Sequence, residues 1–311
     1  MSAASAPFEL SADQVASFRE RGFLVVPSIT SASEVASLRD TLQQLFDRRA
    51  GWHEGAQFGL LGDADDGEAS LTQLVQPVNY APELRDTEFR RNAAAIAKQL
   101  LGDAAMPSFE HSILKRAHDG AATPWHQDEA YRASDAFEYE QLSIWMPLQD
   151  VSEEQGCMQY IPGSHRRGIL PHHRVKGDQA AHSIECDRST FDPQMAVACP
   201  LSAGGAVIHL GRTLHCAGAN TTAVARLAYV LAFELPPQPA TTPRDFHWNA
   251  GRASAELARR RRWLLRGGIV IEVVRRARYH ELYRPRRLAF ELRRLIDRVT
   301  ALFPHRVVRR R

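Results

Sequence analysis

Between about residues 107 and 235 the chain is a succession of short apolar runs, each closed by a turn. "FEHSILKRA", "QLSIWMPLQDV", "CMQYIP", "AVIHLG" and "RLAYVLAFEL" read as strands, and "EEQG", "PGSH" and "SAGG" separate them. Many short strands joined by Gly/Pro turns must bury one face of each strand against another sheet, which leads to a sandwich or jelly roll. The expected class is therefore mainly β with flanking helices.

The flanks have a different texture. "LSADQVASFRERGFLVVPSITSASEVASLRDTLQQLF" predicts helix, short strand, helix, with Ser11 and Gln14 spaced as a capping box and Arg21-Gly22 as the stop. Val35, Leu38, Leu42 and Leu45 recur at helical spacing in the second helix. Residues 51–70 are Gly- and Asp-rich and predict a mobile loop; residues 83–102 predict another helix. Residues 169–200 read as a long connection whose His172, His173 and His182 are solvated. "PPQPATTPRD" (236–245) reads as a linker. The segment after it has helical character, interrupted at Gly267-Gly268 and Pro285.

A length of 311 residues fits one large domain, or one domain with an appendage. Apolar content of 44% and charge of 24% are those of a soluble globular protein. No apolar run approaches the ~20 residues of a membrane span. The N-terminus lacks the features of an export signal, and the four cysteines form no CxxC pair. A cytoplasmic protein with reduced thiols is expected. The net charge of +3 conceals an asymmetry: residues 244–311 hold 20 arginines, no lysine and 6 acidic residues, a balance of +14 against −11 for the first 243.

Within "PWHQDEAY" (124–131), His126 and Asp128 stand two apart. On a strand they share a face, with Gln127 turned away. That is two-thirds of the 2-His-1-carboxylate set of non-haem Fe(II) oxygenases. Alone it is more often a surface His-Asp pair, so the reading depends on a third ligand among thirteen histidines. "GGAVIHLGRTLHCAGANTTAVARLAYVLAFEL" reads as strand, turn, strand, turn, strand. A hairpin turn between Asn220 and Thr221 would set His215 opposite Arg226, with Cβ atoms ~5 Å apart. His209 reads as an ordinary strand histidine. A metal ligand beside a guanidinium suits a 2-oxo acid, whose distal carboxylate needs a fixed cation. The competing reading of Arg226 is a structural ion pair.

Taken together, "WHQD" (125–128), "LSIWMPLQDVSEEQGCMQYIPGSH" (142–165), "TLHCAGAN", Arg226 eleven residues past His215 and "FRERGFLVVPSI" resemble the phytanoyl-CoA dioxygenase (PhyH-like) family of Fe(II)/2-oxoglutarate oxygenases. The match covers roughly residues 11–235. The resemblance implies a double-stranded β-helix (jelly roll, cupin-like) core at about 105–235, within a dioxygenase domain of residues 1–243. It implies Fe(II) held by His126, Asp128 and His215, and 2-oxoglutarate gripped by Arg226, with Ser143 and His111 at positions that contact the cosubstrate in similar proteins. Trp125, Gln127, Tyr131 and Trp145 are candidates to shape the pocket. The implied reaction decarboxylates 2-oxoglutarate to succinate and CO2, consumes O2 and most simply hydroxylates an aliphatic carbon of a small, lipid-like or carrier-bound substrate. Asp128 argues against a halogenase, where a small residue leaves room for halide. Ala217 and Gly204-Gly205 depart from the family's usual Ser/Thr and Gly-Asp, and neither touches the triad.

A non-catalytic binding module on the same scaffold and a metal-dependent hydrolase are the competing functions; Arg226 has no evident role in a hydrolase. The basic, largely helical extension (244–311) has two readings. It packs on its own acidic body, or its arginines near the active-site mouth meet an anionic partner: a membrane surface, a phosphopantetheine-bearing carrier or an anionic substrate. No nucleic-acid-binding motif accompanies the charge.

Overall fold

Ser11 Oγ accepts from the Gln14 amide, Gln14 bonds back to Ser11, and helix α1 (Ala12–Arg21) ends at Gly22, as the sequence predicts. Gly22 has φ +83, and a Cβ there would lie 2.3 Å from His165 Nδ1 and 2.6 Å from Thr213 Oγ1. The turn is close-packed because Thr213 Oγ1 donates to the Gly22 carbonyl, tying the N-terminal turn to the segment that leads into His215. This computed structural model describes residues 8–62, 69–118, 121–132, 136–242 and 244–281, with side chains described as far as Arg275.

The helices α2 (Ala32–Asp47) and α3 (Glu88–Leu101) bury Val35, Leu38, Leu42 and Leu45, and Phe89, Ala93 and Ile96. In chain order the first strands are β1 (Phe23–Val26), β2 (Gln57–Gly59), β3 (Leu71–Val75), β4 (Met106–Lys115), β5 (Thr123–His126), β6 (Phe137–Glu138), β7 (Gln141–Pro147) and β8 (Met158–Tyr160). There follow β9 (His172–Arg174), β10 (Ile184–Cys186), β11 (Val197–Cys199), β12 (Ala206–Leu210), β13 (His215–Ala217), β14 (Arg226–Glu234) and β15 (Gln238–Pro239). They form a seven-stranded sheet in the order β1-β12-β7-β14-β4-β3-β2, a four-stranded sheet β11-β8-β13-β5, and two short ribbons.

Period-2 alternation sorts the strand side chains into two cores. Ile144, Met146, Ile208, Tyr229, Leu231 and Phe233 face the three helices on one side of the large sheet. Trp145, Val207, Ala228 and Val230 face Met158, Tyr160, Cys199 and Ala217 of the small sheet on the other. The protein is thus mainly β, with helices behind a pair of facing sheets. Full burial of each such large apolar side chain contributes roughly 1.5–3 kcal/mol.

Several expectations are corrected. β13 and β14 are not a hairpin: β13 pairs with β5 and β8, and β14 pairs with β4 and β7 in the other sheet. The Asn220 side chain holds the intervening turn by donating to Arg116 O and Val224 O, so the chain crosses between sheets there. The 51–70 stretch carries β2, which pairs with β3, although residues 63–68 fall outside the described set. Residues 169–200 carry β9, β10 and β11, and His172 is buried rather than solvated. Its Nδ1 donates to Leu170 O and its ring packs on Trp248, contacts invisible to local spacing. The Pro-rich segment includes β15, paired with β6.

Beyond it, helices α4 (Ala255–Trp263) and α5 (Ile269–Glu281) break at Gly267, φ +94, where the sequence predicts an interruption. Pro285 lies outside the described residues. No helix among the described residues is long and apolar enough to cross a membrane.

One side chain couples the helices behind the sheet. Glu34 of α2 accepts from the amides of Glu88 and Phe89 at 2.5 and 2.7 Å, capping α3. Replacing Glu34 with Ala removes two charge-assisted bonds at a helix N-terminus, and a loss of about 2–3 kcal/mol is expected in denaturant unfolding. A change under 0.5 kcal/mol would show that the cap carries no stability.

Candidate metal centre

His126 ends β5 and His215 begins β13, and the two are direct cross-strand partners. Their ring centroids are 4.2 Å apart. Gln127 is extended (φ −117, ψ 132), so Asp128, at the start of the 3₁₀ turn Asp128–Tyr131, returns to the face of His126. One ligand atom from each of His126, Asp128 and His215 lies within 4.8 Å of the others. The sequence reading placed His126 and Asp128 on one face; the partner across the gap is the second histidine, not Arg226.

Fixed hydrogen bonds aim all three residues. His126 Nδ1 donates to Pro124 O at 2.7 Å and His215 Nδ1 to Thr213 O at 2.8 Å. A carbonyl only accepts, so each ring carries its hydrogen on Nδ1 and presents the Nε2 lone pair inward. The two Nε2 atoms lie 3.7 and 3.5 Å from Asp128 Oδ1. The other carboxylate oxygen, Oδ2, is held by Ser143 Oγ at 2.7 Å and His209 Nε2 at 3.3 Å. One oxygen is thereby anchored and the other faces the histidines.

Burial is the largest influence on His126 and, with repulsion from His215, lowers its pKa to about 3. His209 is lowered to about 4 by burial and then His215. Burial pushes Asp128 upward, but the adjacent His215 and a hydrogen bond from His209 outweigh it, holding the carboxyl well below its usual range. At neutral pH Asp128 is a carboxylate and His126 an uncharged imidazole whose Nε2 lone pair is free to bind a cation.

Arg226 is 1% exposed on the inner face of β14. Its Nη1 donates to Gly156 O, its guanidinium lies 5.3 Å from the Trp145 ring centroid, and its Nε has no hydrogen-bond partner. Burial pushes its pKa down to about 10. Among the described residues no carboxylate pairs with it, so the structural ion pair is absent. His111, on the same alternation as Phe109 and Ile113, has a buried Nδ1 without a partner, and burial lowers its pKa to about 4. Ser143 shares the inner face and donates to Asp128. Trp125 packs with Phe191 in a core cluster, Trp145 lies under Arg226, and Tyr131 meets the His126 ring edge-on at 5.6 Å.

Sequence reasoning missed His209, Tyr160 and Lys115. Tyr160 stacks on His215 and its hydroxyl lies 3.1 Å from His209 Nδ1. Lys115, fully buried beside Arg226, donates from Nζ to Ala217 O and Gly218 O. The available signal was alternation: Phe109, His111, Ile113 and Lys115 lie on one face, as do Val207 and His209.

Residues past the sheets brace the Asp128 turn. Trp248 Nε1 and Asn249 Nδ2 donate to Ala130 O, and buried Glu129 binds Arg212 and Arg244, each at 2.6 Å. Farther on, Arg275 binds Glu54 at 2.5 Å. The described part of the basic extension therefore packs on the acidic body.

The sequence pattern of the phytanoyl-CoA dioxygenase (PhyH) family matches residues 18–228. The chain belongs to that family. Among solved structures it is similar to EvdO2 from Micromonospora carbonacea var. aurantiaca, crystallised with 2-oxoglutarate, at 35% identity and TM-score 0.65 over 78% of this chain and 98% of that one. It is also similar to SnoK, a non-haem α-ketoglutarate-dependent carbocyclase from nogalamycin biosynthesis, at 26% identity and TM-score 0.60 over 78% and 92%. A probable α-ketoglutarate-dependent hypophosphite dioxygenase of Stutzerimonas stutzeri is 24% identical over 71% of this chain and 78% of its own. The chain is thus a PhyH-family oxidoreductase. The donor set fits Fe(II), and the orphaned Arg226 Nε fits a carboxylate; Fe(II), 2-oxoglutarate and O2 are the cofactors that the family and this site carry.

Gln127 determines whether the HxD geometry holds. It is fully buried, donates to Gly168 O and Arg212 O at 2.8 and 2.6 Å, and accepts from Leu170 N at 2.7 Å. Gln127→Leu strands three backbone groups, each costing ~1–3 kcal/mol. A loss of about 3 kcal/mol or more in denaturant unfolding is expected; a stability within 1 kcal/mol of the parent would contradict this role.

Proposed function

We propose that this chain is an Fe(II)/2-oxoglutarate-dependent dioxygenase that hydroxylates an aliphatic carbon of a small, lipid-like or carrier-bound metabolite. The catalytic domain spans residues 1–243, its facing sheets form a double-stranded β-helix, and residues 244–311 are the basic extension, helical over α4 and α5. The observation that carries the reading is the pairing of a His-Asp-His cluster with a buried arginine that has no carboxylate partner among the described residues. A hydrolase would need the first and has no use for the second.

When bound, Fe(II) supplies O2 activation coupled to decarboxylation of 2-oxoglutarate to succinate and CO2, with one oxygen atom going to succinate and one to the substrate. His126 and His215 offer Nε2 lone pairs, and their Nδ1 bonds to Pro124 and Thr213 keep the rings from turning. Asp128 offers Oδ1 while Ser143 and His209 hold Oδ2. Arg226 receives the distal carboxylate of 2-oxoglutarate through its unpartnered Nε, and burial strengthens that contact by excluding water. Ser143 and His111 face the same interior and complete the cosubstrate's surroundings.

Ring formation is the second reading, since the carbocyclase SnoK is among the similar structures and uses the same cofactor class. Aerobic incubation with Fe(II), 2-oxoglutarate and a metabolite library, read as succinate release and by product mass, separates the outcomes. A gain of one oxygen marks hydroxylation and a loss of two hydrogens marks ring closure or desaturation. Anaerobic Fe(II) plus 2-oxoglutarate should give the weak visible charge-transfer band of the chelate; its absence would sink both readings.

Two substitutions test the residue roles. Asp128→Ala should abolish Fe(II) binding and turnover while leaving the unfolding midpoint close to that of the parent, and near-native hydroxylation would dismiss the triad. Arg226→Ala removes a charge-assisted contact of ~1.5–3 kcal/mol, so the Michaelis constant for 2-oxoglutarate should rise ~10–150-fold, with little change for the organic substrate. An unaltered 2-oxoglutarate dependence would reassign Arg226.

A further inference from the structure

Beyond His126 the interior continues through stacked rings. Tyr131 meets His126 at 5.6 Å and lies nearly parallel to His182 at 5.8 Å, with 18° between the planes. His182 in turn packs on Phe58 at 4.6 Å. Two arginines surround this imidazole. Arg174, 4% exposed on β9, donates from Nη1 to His182 O at 3.1 Å. Arg252, from the segment preceding α4, brings Nη1 to 3.4 Å from His182 Nδ1.

The charges here do not balance. Glu256 is the carboxylate acting on both arginines, and its Oε1 already receives Ser254 Oγ at 2.5 Å and His182 Nδ1 at 3.1 Å. Neither arginine forms an ion pair among the described residues. Burial lowers the pKa of the Arg174 guanidinium, and repulsion from Arg252 adds to the shift. Arg174 Nε and Nη2 are both buried and both lack a hydrogen-bond partner. Those two nitrogens form the side-on fork by which arginine binds a carboxylate or phosphate bidentately. Leaving the fork empty inside a protein is costly, and ordinary packing does not require it. Arg226 shows the same feature, a buried guanidinium with an orphaned Nε, at the place assigned to a cosubstrate carboxylate.

We propose that Arg174 and Arg252 form a subsite for an oxyanion, the carboxylate or phosphate of an anionic organic substrate, held across Tyr131 and His182 from the metal centre. The subsite rests on the dioxygenase reading for its purpose but not for its existence. It places one binding group on the β9–β10 ribbon and the other on the C-terminal extension, so the extension supplies part of the substrate site.

The probes are inorganic phosphate and, in a separate arm, acetate, titrated calorimetrically into the full-length protein without metal or 2-oxoglutarate. In the Arg226→Gln background, which removes the cosubstrate carboxylate site, one equivalent of at least one anion should still bind. Its affinity should fall roughly 10-fold or more when Arg174→Gln or Arg252→Gln is added. Phosphate binding more tightly than acetate identifies a phosphorylated substrate class, and the reverse order a carboxylic acid. If Arg174→Gln does not fold, Arg252→Gln decides, because that side chain's described hydrogen-bond contact is only the long approach to His182. Absence of saturable binding of either anion, parent-like binding by both variants, or loss in Arg226→Gln alone would each overturn the subsite. The anaerobic charge-transfer band of the parent reports separately on the dioxygenase reading, so failure of one is not confused with failure of the other.

Discussion

The antiparallel pairing of β5 with β13 is the constraint on which the rest of the site depends. It sets His126 directly across from His215, so two imidazoles converge without help from any loop. Gln127 then fixes the step to Asp128 by filling the space behind the strand with an amide whose three hydrogen bonds reach Gly168, Leu170 and Arg212. The turn carrying Asp128 is braced from behind by Trp248, Asn249 and Arg244. A precise metal centre thus rests on backbone pairing first and a polar bracket second, an arrangement that is preorganised before a cation arrives.

Charge inside the molecule is handled by pairing where structure alone is at stake and by deliberate lack of pairing where a ligand is due. Glu129 is matched by Arg212 and Arg244, and Glu234 by Arg132. Lys115 is satisfied by backbone carbonyls. Arg226 and Arg174 stand apart, because each is almost fully buried and keeps donor nitrogens without acceptors. Buried unsatisfied donors are rare in folded proteins, which makes two such arginines more informative than any single exposed cluster.

The C-terminal segment is part of this design. Arg259 lies over the Trp52 ring at 3.9 Å and donates to Trp52 O and Gln57 O, while Glu256 engages His182 from the start of α4. The described part of the extension therefore closes over Trp52, Gln57 and His182 rather than trailing from the body. Its basic character has two consequences at once: attraction to acidic residues such as Glu54, and delivery of Arg252 to the interior.

The sequence by itself determined the class of the fold and the His126-Asp128 part of the candidate metal centre. Alternation in "QLSIWMP" and "RLAYVLAFE" is a local property of strands, and the two-residue spacing of His126 and Asp128 is fixed by backbone geometry, so neither needs tertiary information. Capping of α1 and the break at Gly267 are equally local, being hydrogen bonds and φ preferences within a few residues. Only the tertiary structure decided which strands meet. His215 joins His126 and Asp128 by a route other than the one the sequence suggests: the expected hairpin with Arg226 does not form, because the chain changes sheets at Asn220 and both residues find partners far away in sequence. The burial of His172, the half-burial of His182, the anchoring of Asp128 by Ser143 and His209, and the approach of Arg252 to the ring stack likewise depend on contacts across fifteen residues or more. Periodicity says which face a side chain takes; what stands opposite that face is set by strand order and packing, which no local spacing encodes.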